Sequence, residues 1–203
     1  ATGAKELVPS GYYNYGSPNI ITQLALENAL ETGFGKKTPE NIVMIQCAGS
    51  RVPERPYCSR TCCVEAVKNA IRIKKQSRAN VYVLYRDMST YGVWEELYRE
   101  ASSLGVVFLR YSEDKPPAVK DNIVTVYDLL IGDDIEIESD LIVLSCPMVA
   151  PESNADLATL FKVPLDKNGF FLEAHAKLRP VEFATSGVLL CGTAQSPKLI
   201  DEG

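Results

Sequence analysis

One histidine and one tryptophan occur in the 203 residues, and no run of 18 apolar residues is found. Without such a run, no helix of this chain spans a membrane. Basic residues are in the minority, 21 Lys and Arg against 26 Asp and Glu. The resulting net charge of −5 argues against a nucleic-acid partner, since phosphate binding needs a basic surface. The glycine fingerprint G-x-G-x-x-G is absent. So are an initiator Met and any apolar core of signal-peptide length in the opening ATGAKELVPSG, which reads as a tag scar or the cut edge of a longer protein. No internal repeat or low-complexity segment is visible. What the chain does have is a 46% apolar fraction, enough for a sizeable core, and six cysteines. Six are too few for a disulfide-stapled scaffold. Their clustering reads as metal or redox chemistry in a reducing compartment, which implies the cytoplasm.

Periodicity divides the chain. SPNIITQLALENAL (17–30) has a capping residue and helically spaced apolar positions. The linker ETGFGKKTPEN follows; its GKKT tail is no P-loop, because Leu30 stands where the first glycine belongs. NIVMIQC (41–47) is a buried strand. CCVEAVKNAIRIKKQ (62–76) is an amphipathic helix with Val64, Val67, Ile71 and Ile73 inward. NVYVLYRDM (80–88) is a strand, GVWEELYREASSLG (92–105) a helix stopped by Gly105, and VVFLRY (106–111) a third strand. This βαβαβ order predicts an α/β fold with a Rossmann-like, three-layer parallel sheet. NIVTVYDLLIGDDIEIESD adds an antiparallel hairpin, and LIVLSC (141–146) returns to the parallel sheet. Beyond it, 151–163 reads as a short helix. Residues 165–174 read as two extended segments about an Asn168-Gly169 turn, and GVLLCGTA (187–194) as a strand entering a glycine turn.

The turn after the first strand of the βαβαβ unit reads CAGSR and lacks the glycines that let a backbone approach a pyrophosphate. In their place QCAGSRVPERPYCSRTCC packs Cys47, Cys58, Cys62 and Cys63 at spacing C-x10-C-x3-C-C. Ordinary NAD(P) binding is therefore not expected. Four thiolates suit a [4Fe–4S] cluster, with the following helix N-terminus favouring its negative charge. Arg51, Arg55 and Arg60 offset thiolate charge. Zinc is the competing ligand, although paired C-x2-C knuckles are missing. Thiol chemistry, including exchange at a Cys62–Cys63 dithiol, stays open as the third reading.

The segments CAGSRVPERPYCSRTCC, YRDMSTYGVWEELYREASSLGVVFLRY and ADLATLFKVPLDKNGFFLEAHAKLRPVEFATSGVLLCGTAQSPK together resemble the A subunit of CoB–CoM heterodisulfide reductase, from about Tyr12 onward. The resemblance implies a thioredoxin-reductase-like flavoprotein core with iron–sulfur clusters and, in methanogens, flavin-based electron bifurcation. It places the family's cluster cysteines on Cys47, Cys58, Cys62 and Cys63, favouring iron–sulfur over zinc. It also implies an FAD contact at Gly192, Thr193 and Ala194, with Thr193 where the family's core has Asp, and a role for Lys198 near a phosphate or carboxylate. No catalytic residue is assigned. On this reading 39–146 is an NAD(P)-domain-like module carrying the four-cysteine loop. Residues 1–38 are a linker and partial FAD-domain segment, and 147–203 the C-terminal part of that domain. The implied role is electron relay between FAD and partner subunits, with hydrogenase or another donor upstream and a homodimer as a further possibility. The chain alone is expected to bind FAD weakly or not at all, and to be inactive by itself. The alternatives are a zinc-stabilised interaction domain and a dithiol oxidoreductase using Cys62 and Cys63.

His175, the sole histidine, lies in a half-polar extended segment and reads as structural. Cys146 and Cys191 read as small apolar core residues. Arg86 and Asp87 read as capping the loop after their strand, and Tyr91, Trp94 and Tyr98 as core or interface residues.

Overall fold

The structure is a computed structural model that describes residues 2–34 and 38–203. The Gly35-Lys36-Lys37 part of the linker, on which the P-loop comparison turns, lies outside the described residues. The elements in chain order are β1 (Lys5–Glu6), β2 (Ile20–Thr22), α1 (Gln23–Thr32), β3 (Asn41–Ile45), α2 (Thr61–Gln76), β4 (Asn80–Tyr85), α3 (Glu95–Ser103), β5 (Val107–Arg110), β6 (Ala118–Lys120), β7 (Ile123–Asp128), β8 (Asp133–Glu138), β9 (Leu141–Leu144), β10 (Met148–Val149) and α4 (Asn154–Phe161). They form two compact units. The larger holds Val8–Ser50 and Cys62–Cys146; the smaller holds Ala1–Leu7, Arg51–Thr61 and Pro147–Gly203.

The larger unit is built on a five-stranded sheet in the order β2-β9-β3-β4-β5, every pair parallel. Its central strands, NIVMI, NVYVLY and LIVL, are nearly continuous apolar runs, as a parallel sheet buried on both faces requires. Ile42, Met44, Val81, Val83 and Val143 pack in one core with Leu26 and Leu30 of α1 and Ala66, Val67, Ala70 and Ile71 of α2. The inward stripe read for α2 is buried as expected, Val64, Val67, Ile71 and Ile73 included. Gly105 ends α3 with φ +79°. Tyr98 packs its ring on Phe108 at a centroid distance of 4.5 Å. The expected hairpin is β7 with β8, and β6 adds a third antiparallel strand. The α/β class, the parallel sheet and the hairpin thus agree with the sequence.

Two segments differ. The helix expected from Ser17 begins only at Gln23, because the β-branched run Ile20-Ile21-Thr22 pairs with β9 as a strand. Thr22 then caps α1, its Oγ1 accepting from Ala25 N at 3.4 Å. Residues 187–194 form no strand: one bridge, Glu182 to Leu189, is made before a single helical turn at Gly192–Ala194.

The smaller unit is mostly irregular. β1 pairs antiparallel with β10. Its core is Val163, Phe171, Phe183 and Leu190, with Leu157 and Ala158 of α4 against it. The turn at Asn168-Gly169 is present, organised by Asp166, whose Oδ1 accepts from Asn168 N and Phe170 N at 2.8 and 2.9 Å.

Candidate functional site

In the larger unit, Cys47 follows β3 where that strand leaves the sheet, and Cys62 and Cys63 lie in the first turn of α2. The β3–β4 ladder runs one residue past β3, with Gln46 N donating to Leu84 O at 2.9 Å. Cys47 then turns the chain with φ +61°, and Ala48 N donates to Ser145 O at 3.1 Å. Cys62 and Cys63 open α2 and are 3% and 2% exposed, so this first turn faces inward. The Sγ of Cys63 lies 3.8 Å from the carbonyl of Asp87, just past β4. The Asp87 carboxylate accepts from Arg110 at 2.9 Å, and Arg86 pairs with Glu113. Both therefore fasten the loop after β4. Tyr13 lies in the field of Cys47 and Arg86. Burial pushes its hydroxyl up to about 12, the charge of Cys47 acting the same way and Arg86 opposing.

Cys58 belongs to the smaller unit and is held from both sides. Tyr57 donates to Met148 O at 2.9 Å, and Met148 N donates to the Ser59 hydroxyl at 2.9 Å, so β10 fixes the flanking residues. Arg60 N donates to the Cys58 sulfur at 3.3 Å. The Arg60 guanidinium donates to Pro197 O at 2.9 Å and pairs with Glu202 at 3.1 Å. A small pocket of about 150 Å³ is lined by Tyr57, Cys58, Arg60, Phe170, Ser196 and Pro197, among others. Among the described residues, no three His, Cys, Asp or Glu side chains are gathered to hold a metal ion. The donor chemistry itself suits iron: four thiol sulfurs within one stretch, two of them at a helix N-terminus whose partial positive charge favours anions.

A buried polar layer joins α1, α2 and the residue after β9. Asn69 donates to Gln23 Oε1 at 2.9 Å, and Gln23 donates to the Ser145 hydroxyl at 3.1 Å. Gln23, Gln46, Asn69 and Ser145 are all 0% exposed. Among the described residues, Gln46 meets no partner at either Nε2 or Oε1, and Asn69 none at Oδ1. A buried amide left unpaired costs about 1–3 kcal/mol, so this orphan asks for a partner that the protein atoms do not supply.

In the smaller unit, Gly192, Thr193 and Ala194 form the helical turn after Cys191. Gly192 has φ +61°, a conformation that favours glycine. The Thr193 hydroxyl accepts from Ala4 N at 3.0 Å, and Phe171 N donates to Ala194 O at 3.0 Å. All three turn residues line an apolar pocket of about 450 Å³ whose walls include Phe171, Phe183 and Leu190. Lys198 does not line it. Its Nζ donates to Gln195 Oε1 at 2.6 Å, and Gln195 donates to Glu173 at 2.9 Å. That bond holds the Glu173 carboxyl below the usual range, Lys198 adding to it. Cys191 is exposed on the pocket wall, correcting the expectation of a core residue: no sheet covers residues 187–194. Cys146 is buried as read. His175 is exposed, and its Nδ1 accepts from Lys177 N and Leu178 N at 3.2 Å each, a turn-capping role. Gln46 and Gln195 were not legible as site residues, and Arg60 was read only as offsetting thiolate charge. Only their places beside a cysteine or in the GTAQSPK stretch signal them.

No family model matches the chain. The iron–sulfur A subunit of CoB–CoM heterodisulfide reductase from Methanocaldococcus jannaschii is 40% identical over 94% of this chain and 32% of its own length. One of the A subunits of the same enzyme from Methanopyrus kandleri is 39% identical over 100% of this chain and 34% of its own. The A subunit of the H(2)/formate:CoB-CoM heterodisulfide,ferredoxin reductase of Methanococcus maripaludis is 37% identical over 94% and 32%. The chain thus spans about a third of the length of these relatives. Among solved structures, thioredoxin reductase of T. acidophilum superposes with a TM-score of 0.58 at 14% identity, over 97% of this chain and 57% of that one. The HOCl-induced flavoprotein disulfide reductase RclA of Escherichia coli superposes with a TM-score of 0.58 at 12% identity, over 96% and 39%. These two share the fold. Over nearly its whole length, this chain thus resembles one segment of the A subunits of CoB–CoM heterodisulfide reductases at 37–40% identity.

Proposed function

We propose that this chain is the electron-transfer segment of a heterodisulfide-reductase-type oxidoreductase. In this reading Cys47, Cys58, Cys62 and Cys63 ligate a [4Fe–4S] cluster, and Gly192, Thr193 and Ala194 form part of an FAD site. The observation that carries it is the replacement of phosphate-binding glycines by thiols at the carboxyl edge of a parallel sheet, the edge where such folds hold their cofactors. When bound, the cluster and the flavin supply one-electron and two-electron redox chemistry. The chain's own residues do the rest. Cys62 and Cys63, buried in α2's first turn, keep water from the sulfurs and offer them helix N–H dipoles. Arg60 ties the Cys58 loop to Pro197, three residues past the Gly192–Ala194 turn, so within the smaller unit the cysteine loop and the flavin segment are mechanically linked. Gly192 lets a ligand approach backbone, and the apolar walls around it suit a flat aromatic ring.

The domain reading follows. Residues 39–146 act as the NAD(P)-domain-like module with its dinucleotide turn given over to thiols, and 1–38 with 147–203 contribute to the FAD domain. The partners are the other subunits of the complex, with ferredoxin and an H2- or formate-derived donor suggested by relatives' names. Reduced thiols of this kind suit the cytoplasm. No helix among the described residues is long and apolar enough to cross a membrane. Iron, acid-labile sulfide and zinc analysis of protein prepared without oxygen tests the proposal. About four iron per chain, lost on any single Cys→Ser change at the four positions, is the expected result. Stoichiometric zinc without iron contradicts it and leaves an interaction domain.

A further inference from the structure

We infer that the tip of the β7–β8 hairpin, Leu129-Leu130-Ile131, is a docking surface for a partner subunit that offers an apolar pocket rimmed by Lys or Arg side chains. The inference rests on the partner reading above and deepens it, by naming the surface of this chain that a partner takes. Turns between strands usually carry small polar residues, because nothing covers them. This turn carries three large aliphatic side chains in a row. Leu130 is 96% exposed and Ile131 70%, with Leu129 exposed beside them. The turn is fixed by its own hydrogen bonds. The buried Asp128 accepts from Leu130 N and Ile131 N through Oδ1 at 2.8 and 2.9 Å, and its carbonyl accepts from Gly132 N at 2.9 Å. Gly132 supplies the left-handed backbone at φ +77°. None of these bonds needs an aliphatic side chain at the tip; polar residues would serve the turn equally. A preordered turn loses little freedom on binding, so apolar area covered there goes into affinity.

The strands beneath the tip indicate the partner's charge. Val124, Val126 and Ile137 are buried, which anchors the inner face of the hairpin. Residues alternate along β8, so Asp134, Glu136 and Glu138 share the outer face, and all three are exposed. Asp133 adds a fourth exposed carboxylate directly after the tip. Two lysines accompany them. Lys120 is paired with Ile123, at the end of the hairpin away from the tip. Lys115 lies 3.5 Å from the centroid of the Tyr127 ring, which holds its charge there. The hairpin is therefore an apolar tip on an acidic stem. A basic rim complements it, and complementarity of this kind steers and orients association. Two other occupants fit less well. Anionic lipid headgroups repel the carboxylates beside the tip. A second copy meeting it tip to tip brings two acidic stems together.

The test compares the protein alone with the complex recovered from its own cells through a tag on it. Hydroxyl-radical labelling reads the solvent access of each side chain. Leu130 and Ile131 are expected to be labelled in the protein alone and protected in the complex. Leu130→Ser and Ile131→Ser should each weaken binding of the co-purified subunit about tenfold, the effect of leaving one aliphatic side chain out of an apolar pocket. Their melting temperatures should match the parent's. Glu136→Lys should slow association and reduce its salt dependence. If one serine variant fails to fold, the other decides by the same criterion. Equal labelling of the tip in both states, or unchanged affinity in a folded serine variant, overturns the inference. So does binding to phosphatidylserine vesicles that Leu130→Ser abolishes, or a homodimer that the same change dissociates, since the occupant is then lipid or a second copy. A protein that co-purifies with no other subunit overturns the partner reading itself, and the inference with it.

Discussion

Tyr13 and Gly192 show how burial and backbone conformation act at single positions. The Tyr13 hydroxyl is pushed up to about 12, first by burial and then by the charge of Cys47. Its folded value is raised above the unfolded one near 10, so the stability it contributes is fully present below pH 10 and lost as pH rises toward 12. Denaturant midpoints taken across that window should fall less steeply in Tyr13→Phe than in the parent. Identical slopes would show that Tyr13 is not held in the protonated form by its surroundings. Gly192 is the second case. A Cβ there meets no atom within 4 Å, so space is not the obstacle; the left-handed backbone at φ +61° is. Gly192→Ala should cost about 1 kcal/mol of stability. Unchanged stability would mean the turn relaxes to another conformation.

At the scale of elements, two short-range features hold the larger unit's connections. Asp128 ends β7, and its Oδ1 accepts from Leu130 N and Ile131 N at 2.8 and 2.9 Å, closing the turn into β8. Asp128→Ala should lose about 2 kcal/mol, the worth of hydrogen bonds to a charged acceptor, seen as a lower urea midpoint with unchanged slope. Thr22→Ala, which removes the cap of α1, should cost about 1 kcal/mol. A loss below a few tenths in either would assign the turn or helix start to tertiary packing instead. These elements also show what a sequence can and cannot tell. The long apolar strands NIVMI, NVYVLY and LIVL and the striped α2 were legible because period and length agree. β2 was not: three residues joined to a helix look like that helix's first turn until β9 is there to pair with them. β6 was hidden behind Pro116-Pro117, a loop signal that says nothing of the three residues after it. Residues 187–194 read as a strand because they are apolar, but no neighbouring strand accepts their hydrogen bonds. The four cysteines were legible as a crowded stretch of sequence, but spacing does not fix the distances between sulfurs, and no three Cys, His, Asp or Glu side chains come together among the described residues. The orphan amide of Gln46 was not legible, since burial and missing partners are properties of packing.

At the scale of the whole molecule, the chain shares the α/β fold of thioredoxin reductase of T. acidophilum and spans about a third of the length of the heterodisulfide reductase subunits it resembles. The larger unit keeps the parallel sheet and its carboxyl edge but carries Cys47, Cys62 and Cys63 there. The smaller unit carries the Gly192–Ala194 turn and an apolar pocket. The central claim is that the thiols of the first unit exist to hold iron and sulfide. It is tested most directly by the visible and low-temperature EPR spectra of anaerobic protein before and after dithionite. The account predicts a broad absorption near 400 nm that bleaches on reduction, about one unpaired spin per chain in the reduced state, and loss of both in Cys62→Ser and Cys63→Ser. A colourless, EPR-silent protein that keeps full thiol counts and binds no iron on reconstitution would contradict it.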